Sequence, residues 1–256
     1  MDWSKEVALV TGSEGRLGRI WAQAFRDVGC PVITTDTEDA KRGDSPFKGV
    51  ECLCADLTDQ LAVEKLAMEV CGIYGTPTIL VNNAGVDDRP RAAAMNGPRY
   101  DVAESMAAVN LLGTYRMLNV FGSRMAQQGK GSIVNIASLY GLVSPDMRYY
   151  GDSGFEKHAM YGATKAGIIS LTKHYAAYWA KNGVRVNALA PGGVVDPQDP
   201  LTGQDDGFKS RYTARIPMGR MCTPDDLVGP LLFLASEASS FVTGQVLPLD
   251  GGFLCW

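Results

Sequence analysis

The sequence predicts an α/β fold: one doubly wound domain with a mainly parallel sheet of about seven strands. Apolar runs too short for helices alternate with 3.6-residue helical patterns along the whole chain. These runs are apolar throughout, as strands buried on both faces are. The 256 residues, 46% hydrophobic, suffice for one large core. They show no repeat beyond the β–α alternation and no linker, so residues 1–256 read as a single domain.

The first strand is Val7–Thr11, ending on Gly12. The turn Gly12-Ser13-Glu14-Gly15-Arg16-Leu17-Gly18 leads into a helical pattern of Ile20, Trp21, Ala24, Phe25 and Val28, which Gly29 stops. Pro31–Thr35 is a second strand and ends on Asp36. Strand, glycine turn, helix, strand and acid is the order of a Rossmann-type dinucleotide-binding unit. Glycines let the backbone approach a pyrophosphate, and the helix N-terminus offers free N–H groups. A carboxylate at Asp36 suits the adenosine ribose hydroxyls and repels a 2′-phosphate, which favours NAD over NADP. Arg16 and Arg19 complicate that preference, since either could meet phosphate.

Residues 37–50 read as an irregular crossover. Val50–Ala55 is a third strand running to Asp56, and a helix follows from Thr58, its expected N-cap, to about Tyr74. Pro77–Val81 leads into Asn82-Asn83-Ala84-Gly85, then a loop of residues 86–99, then a helix through Met106, Asn110 and Gly113 to about Met125. Gly131–Ser138 is the fifth strand, with a polar insertion, residues 145–157, behind it. The next helix carries Tyr161 and Lys165 and ends at Asn182-Gly183. Val184–Ala190 closes on Pro191-Gly192-Gly193, and residues 194–222 read as a lid. Thr223 and Pro224 open a last helix, and Gly244–Leu249 is the last strand.

The net charge of −4 speaks against a nucleic-acid surface. No run of about 18 apolar residues predicts a membrane span. The N-terminus lacks a leader pattern, and none of the six cysteines forms Cys-x-x-Cys, so reduced thiols in a cytoplasmic protein are expected. With only His158 and His174, a zinc site is disfavoured, while His158 keeps a His-based triad open.

Tyr161 and Lys165 stand one helical turn apart. An ammonium beside a phenol favours the phenolate and makes it usable as an acid/base near neutral pH. Taken alone, the two residues read more readily as an exposed pair, and the rest of the chain decides otherwise. The set Thr11-Gly12-x5-Gly18, Asp56-Leu57, Asn82-Asn83-Ala84-Gly85, Asn110, Ser138, Tyr161-x3-Lys165 and Pro191-Gly192, in this order at strand ends, resembles the short-chain dehydrogenase/reductase superfamily over nearly the whole chain.

That resemblance implies hydride transfer between NAD, or less readily NADP, and a secondary alcohol or ketone. Tyr161 would exchange the proton and Ser138 would place the substrate oxygen. Lys165 would bind the nicotinamide ribose and lower the tyrosine pKa, and Asn110 would hold a relay water. Gly12, Glu14, Gly15, Arg16, Leu17 and Gly18 would line the pyrophosphate. Asp36, Asp56 and Leu57 would meet the adenosine, Asn83, Ala84 and Gly85 the ribose, and Pro191, Gly192 and Val194 the carboxamide end. The sequence departs from the family pattern at Arg16, where a glycine is usual, and at Asp196, where a threonine is frequent. The Ser138–Tyr161 separation is about ten residues longer than usual, so the insertion must loop outward.

Segments 86–99 and 145–157 leave the ends of neighbouring strands, where open sheets bind ligands. Their Arg89, Arg148 and Tyr150, with Arg91, Arg99, Lys157, Tyr149 and Phe155, suggest a polar, carbohydrate-like substrate, an anionic one included. Solvated loop charges offset by Asp87 and Asp88 are the alternative. A 3-oxoacyl-thioester reductase using NADPH and a non-catalytic dinucleotide sensor or scaffold also stay open. The resemblance further implies a homotetramer or homodimer packed through the helices of Asn110 and Tyr161, to which the apolar C-terminus Phe253–Trp256 could add a subunit contact.

Overall fold

A computed structural model describes residues 2–38, 52–87, 99–151, 157–195 and 206–256. Seven strands, β1 (Ala8–Thr11), β2 (Val32–Asp36), β3 (Cys52–Cys54), β4 (Ile79–Asn82), β5 (Gly131–Ile136), β6 (Val184–Pro191) and β7 (Val246–Leu249), form one sheet in the order β3-β2-β1-β4-β5-β6-β7. Every pairing is parallel. The chain winds one way from β1 to β3 and the other from β4 to β7. The switch point therefore lies between β1 and β4, where such sheets open a crevice at their carboxyl ends.

Alternate strand residues feed two cores. Leu9, Leu80, Ile133 and Val186 face one layer with Leu66, Val70, Phe121 and Trp179. Ala8, Val10, Ile79, Val81, Val134 and Ile136 face the other with Trp21, Phe25, Leu227 and Leu231. The helices on these faces include α1 (Arg16–Asp27), α2 (Gln60–Tyr74), α6 (Ala159–Trp179) and α8 (Pro224–Ala235). Trp21 and Phe25 are fully buried, so α1 is anchored by its large side chains while its first turn stays at the crevice.

Helix α2 starts one residue later than expected. Asp59 is its N-cap, accepting from Leu61 N–H at 2.9 Å, while Thr58 donates both its N–H and its hydroxyl to Asp56. Residues 100–128 form a helical run containing two π-helical stretches, Ala107–Gly113 and Leu118–Gly122, between α3 (Tyr100–Met106), α4 (Thr114–Met117) and α5 (Ser123–Gln128). Part of the expected lid is a helix, α7 (Asp206–Thr213). At α8 Thr223 and Asp226 cap each other's ends: Asp226 accepts from Thr223 N–H at 2.8 Å and donates its own N–H to Thr223 O at 3.2 Å. Among the described residues no helix is long and apolar enough to cross a membrane.

The C-terminus turns back on its own chain. Phe253 is buried among Leu139, Phe208, Tyr212, Ile216 and Met221, and Trp256 Nε1 donates to Arg215 O at 3.1 Å.

Candidate active site

Ser138 stands two residues beyond the end of β5 and caps a short 3-10 turn, Leu139–Gly141, by accepting from Tyr140 N–H at 3.2 Å. Helix α6 passes very close to that turn. A Cβ on Gly141 would stand 2.8 Å from the Lys165 carbonyl carbon, and one on Gly162 would stand 2.8 Å from Tyr140 O. These two glycines allow the contact that lets the Tyr161 hydroxyl share a hydrogen bond with Ser138, across 22 intervening residues. His158 is spent locally: its Nδ1 caps α6 by accepting from Met160 N–H at 3.1 Å.

One turn further along α6, Lys165 is buried and donates from Nζ to Ile136 O at 2.8 Å. Asn110, fully buried in the first π-helical stretch, accepts from Val86 N–H at 2.7 Å and donates to Val86 O at 2.9 Å. It thus fixes the chain leaving β4. Gly85 lies between the two: a Cβ there would be 3.3 Å from Asn110 Oδ1 and 3.6 Å from Lys165 Nζ.

Burial, with the nearby Asp87 carboxylate adding to it, pushes the Tyr161 phenol well above its ordinary range; the Ser138 hydrogen bond and the Arg16 guanidinium pull the other way. Burial also draws Lys165 down to about 8, with Asp87 opposing and Lys157 assisting. In the protein alone burial is the largest influence on each: desolvation disfavours the charged form of both groups.

The β1–α1 turn forms the second half of the site. Gly12 has φ +64°, and a Cβ there would meet Ala84 Cα at 2.7 Å. A Cβ on Gly18 would reach 2.0 Å from Gly12 O, so the helix packs directly on the turn. Gly15 precedes α1, and no side chain caps its first turn. That leaves the helix end open to an anion. Asp36 accepts from Glu14 N–H and from Thr37 N–H, each at 2.8 Å. Glu14 is buried, pairs with Arg19 at 3.2 Å, and has an Oε1 without a hydrogen-bond partner. A bare helix end and tight glycines fit the pyrophosphate of a nicotinamide dinucleotide, with the Asp36 and Glu14 carboxylates beside the turn.

The other residues expected to meet the cofactor make these contacts within the protein. Asn83 donates to Thr11 O at 2.9 Å and Gly12 O at 3.0 Å and accepts from Trp21 Nε1 at 2.9 Å, so its amide clasps the glycine turn. Leu57 is buried in the core, and Ala84 N–H donates to Thr11 Oγ1 at 2.9 Å. Pro191 ends β6, Gly192 N–H donates to Leu249 O at 3.0 Å, and Val194 is buried and bridges to Cys222.

On the substrate side, Arg148 does not serve as expected. Its fork is committed to Asp146, two residues away, and its side chain is 89% exposed. Tyr150 instead accepts a hydrogen bond from Tyr140 and packs on Phe208 at 5.1 Å. Arg89, Arg91, Phe155 and Asp196 lie outside the described residues. Lys157, named among the rim charges, meets Asp87, which was expected only to offset them. They form an ion pair, and Lys157 Nζ lies 4.5 Å from the centroid of the Tyr161 ring. The sequence signal was Lys157-x3-Tyr161-x3-Lys165, two lysines at one-turn spacing on either side of the tyrosine.

Comparison with known proteins shows the family and the fold. Residues 13–254 match the family model described as Enoyl-(Acyl carrier protein) reductase. A 3-oxoacyl-(acyl-carrier-protein) reductase of Thermotoga maritima is 34% identical, covering 97% of this chain and 98% of its own. A crystal structure of a short chain dehydrogenase from Leptospira borgpetersenii with bound NAD+ superposes with a TM-score of 0.86 at 32% identity, covering 98% of this chain and 94% of that one. A gluconate 5-dehydrogenase from Burkholderia cenocepacia, in complex with NADP and tartrate, does so with a TM-score of 0.84 at 30% identity, covering 98% and 96%.

Proposed function

The chain belongs to the short-chain dehydrogenase/reductase superfamily, and from that premise we propose that it is an NAD-dependent oxidoreductase interconverting a secondary alcohol and a ketone on a polar, carbohydrate-like substrate. The observation that carries the reading is the meeting of Ser138, Tyr161 and Lys165 beside a glycine cradle at the sheet's switch point.

A bound nicotinamide dinucleotide supplies the hydride acceptor or donor. In the oxidation direction Tyr161 Oη takes the proton of the substrate hydroxyl, and Ser138 Oγ holds the same oxygen in line. Lys165 Nζ, anchored on Ile136 O, supports the phenolate that Tyr161 must pass through. Asn110 keeps the Val86 backbone, and with it one wall of the pocket, in register. Asp36 and Glu14 put two carboxylates beside the glycine turn, and a 2′-phosphate there would be repelled, which supports NAD. Leu112, Tyr115 and Tyr178 are 46%, 46% and 70% exposed and suit a homo-oligomeric contact through these helices. Six cysteines with no Cys-x-x-Cys spacing suit a cytoplasmic setting.

The test is NADH formation with a panel of polyols, sugar acids and simple alcohols, repeated with Tyr161→Phe. Loss of the phenol is expected to lower kcat by about 10²–10⁴-fold. Turnover unchanged in Tyr161→Phe would end the proposal. The Thermotoga relative favours a second reading, reduction of a 3-oxoacyl thioester. Faster oxidation of NADPH with such a thioester than of NADH with any ketose would establish it instead.

A further inference from the structure

Asp87 and Lys157 come from opposite walls of the cleft. Asp87 follows Val86, which Asn110 pins by both backbone groups. Lys157 precedes α6 and lies 4.5 Å from the Tyr161 ring centroid and 6.0 Å from that of Tyr140. Their side chains retain 18% (Lys157) and 35% (Asp87) exposure. An ion pair held partly out of water against two aromatic faces gains little stability, because desolvation offsets the attraction. Its place matters more. It sits against the side chain that exchanges the proton, and its charges act on both Tyr161 and Lys165.

Resting on the alcohol-oxidising reading above, we infer that the Asp87–Lys157 pair is the substrate-reading element of this site, gripping the hydroxyl group next to the carbon that is oxidised. An ammonium offers three donors and a carboxylate two acceptor oxygens. A hydroxyl both donates and accepts, so one hydroxyl can answer both partners at once. A substrate with only carbon at that position would strip the pair of water and return no hydrogen bond. Lys157 Nζ stands over the Tyr161 and Tyr140 rings, which holds the pair at the reacting end of the site. The pair thus selects vicinal diols over isolated alcohols, and selects them through binding and placement.

The experiment compares kcat/KM for galactitol, D-gluconate and 2-butanol in the unaltered enzyme, Lys157→Met, Asp87→Asn and the double variant, with Lys157→Arg as the conservative control. Thermal melting identifies any variant that fails to fold. The ratio of galactitol to 2-butanol efficiency is expected to fall at least tenfold in each single variant, mainly through KM. The double variant should fall by less than the product of the two, and Lys157→Arg should keep most of the ratio. Equal losses on both alcohols would overturn the inference, since the pair would then act only through Tyr161. So would a lower KM for gluconate in Asp87→Asn beside a higher one in Lys157→Met, which would make the lysine an anion site. Unaltered ratios beside good polyol turnover sink the inference alone. No turnover of any alcohol by the unaltered enzyme sinks the reading beneath it as well.

Discussion

Tyr161 and Lys165 are one turn apart on α6, and a dry pocket biases both toward neutrality. For the lysine this has a measurable sign. Its folded-state pKa of about 8 lies below the ordinary lysine value of 10.5. Between those values the unfolded chain holds a proton that the folded chain has released, so this group makes stability rise with pH through that window. Lys165→Met is expected to remove that rise. Urea denaturation of both proteins at pH 7.5 and 9.5 isolates it as a difference of differences, and an identical pH response would refute the buried, partly neutral lysine. Asp36 carries a second prediction. It accepts from Glu14 N–H, which fixes its carboxylate beside the glycine turn. Asp36→Ala is expected to cut the NAD-to-NADP ratio of kcat/KM at least tenfold, and an unchanged ratio would move cofactor choice elsewhere, with Arg16 the first suspect. The Tyr–Lys spacing and the strand-end Ser138 were legible as sequence. The direction of the shifts was not, because burial depends on what folds over a residue. Neither was the loss of Arg148 to Asp146, a local pairing that composition cannot distinguish from a ligand contact.

At the level of elements, all seven expected strands form, each within a few residues of its predicted ends where the chain is described. Apolar runs bounded by glycine, proline and acids are a strong signal when both faces of a sheet are covered. Helix ends were less readable: Thr58 and Asp59 can both cap, and the better-placed carboxylate wins at α2. The π-helical stretches had no signal, since apolar periodicity is nearly the same for a helix and a helix with one inserted residue. Nor did the sequence disclose why an unusually long Ser138–Tyr161 separation is harmless. Across that separation the bare backbone at Gly141 lets α6 press onto the turn after β5. Gly141→Ala would set a methyl 2.8 Å from the Lys165 carbonyl carbon and 3.0 Å from Ala166 N. Both are backbone atoms and cannot rotate away. The variant should lose about 1–3 kcal/mol of stability. It should also lose at least tenfold in kcat, by parting Ser138 from Tyr161, with cofactor affinity nearly kept. Denaturation, steady-state kinetics and NADH fluorescence titration separate the three effects.

Across the whole molecule, an aromatic cluster joins segments that are remote in sequence. Tyr149 from the insertion, Tyr212 from α7 and Phe253 near the C-terminus meet with ring centroids 5.6–6.2 Å apart. Tyr212 extends the connection by accepting from Gly193 N–H at 2.8 Å, in the turn after β6 that leads to Val194. The C-terminal tail therefore braces the helix over the site, and through it the strand end expected to face the carboxamide. A sequence offers no cue for this, because three aromatics about sixty and forty residues apart become neighbours only once the sheet order is fixed. Phe253→Ala would empty a buried position in that cluster. Truncations of this kind cost about 3–5 kcal/mol. Tyr212 and Tyr149 would lose a shared face, α7 would sit more loosely, and the Gly193 turn would lose its anchor. Stability should fall by that amount in chemical denaturation followed by circular dichroism, and KM for both cofactor and substrate should rise several-fold while Tyr161, untouched, sustains kcat. Phe253→Leu, which refills most of the volume, should restore KM more fully than stability, since it lacks the ring contacts. A loss below about 1 kcal/mol in Phe253→Ala would mean that the tail does not brace the lid.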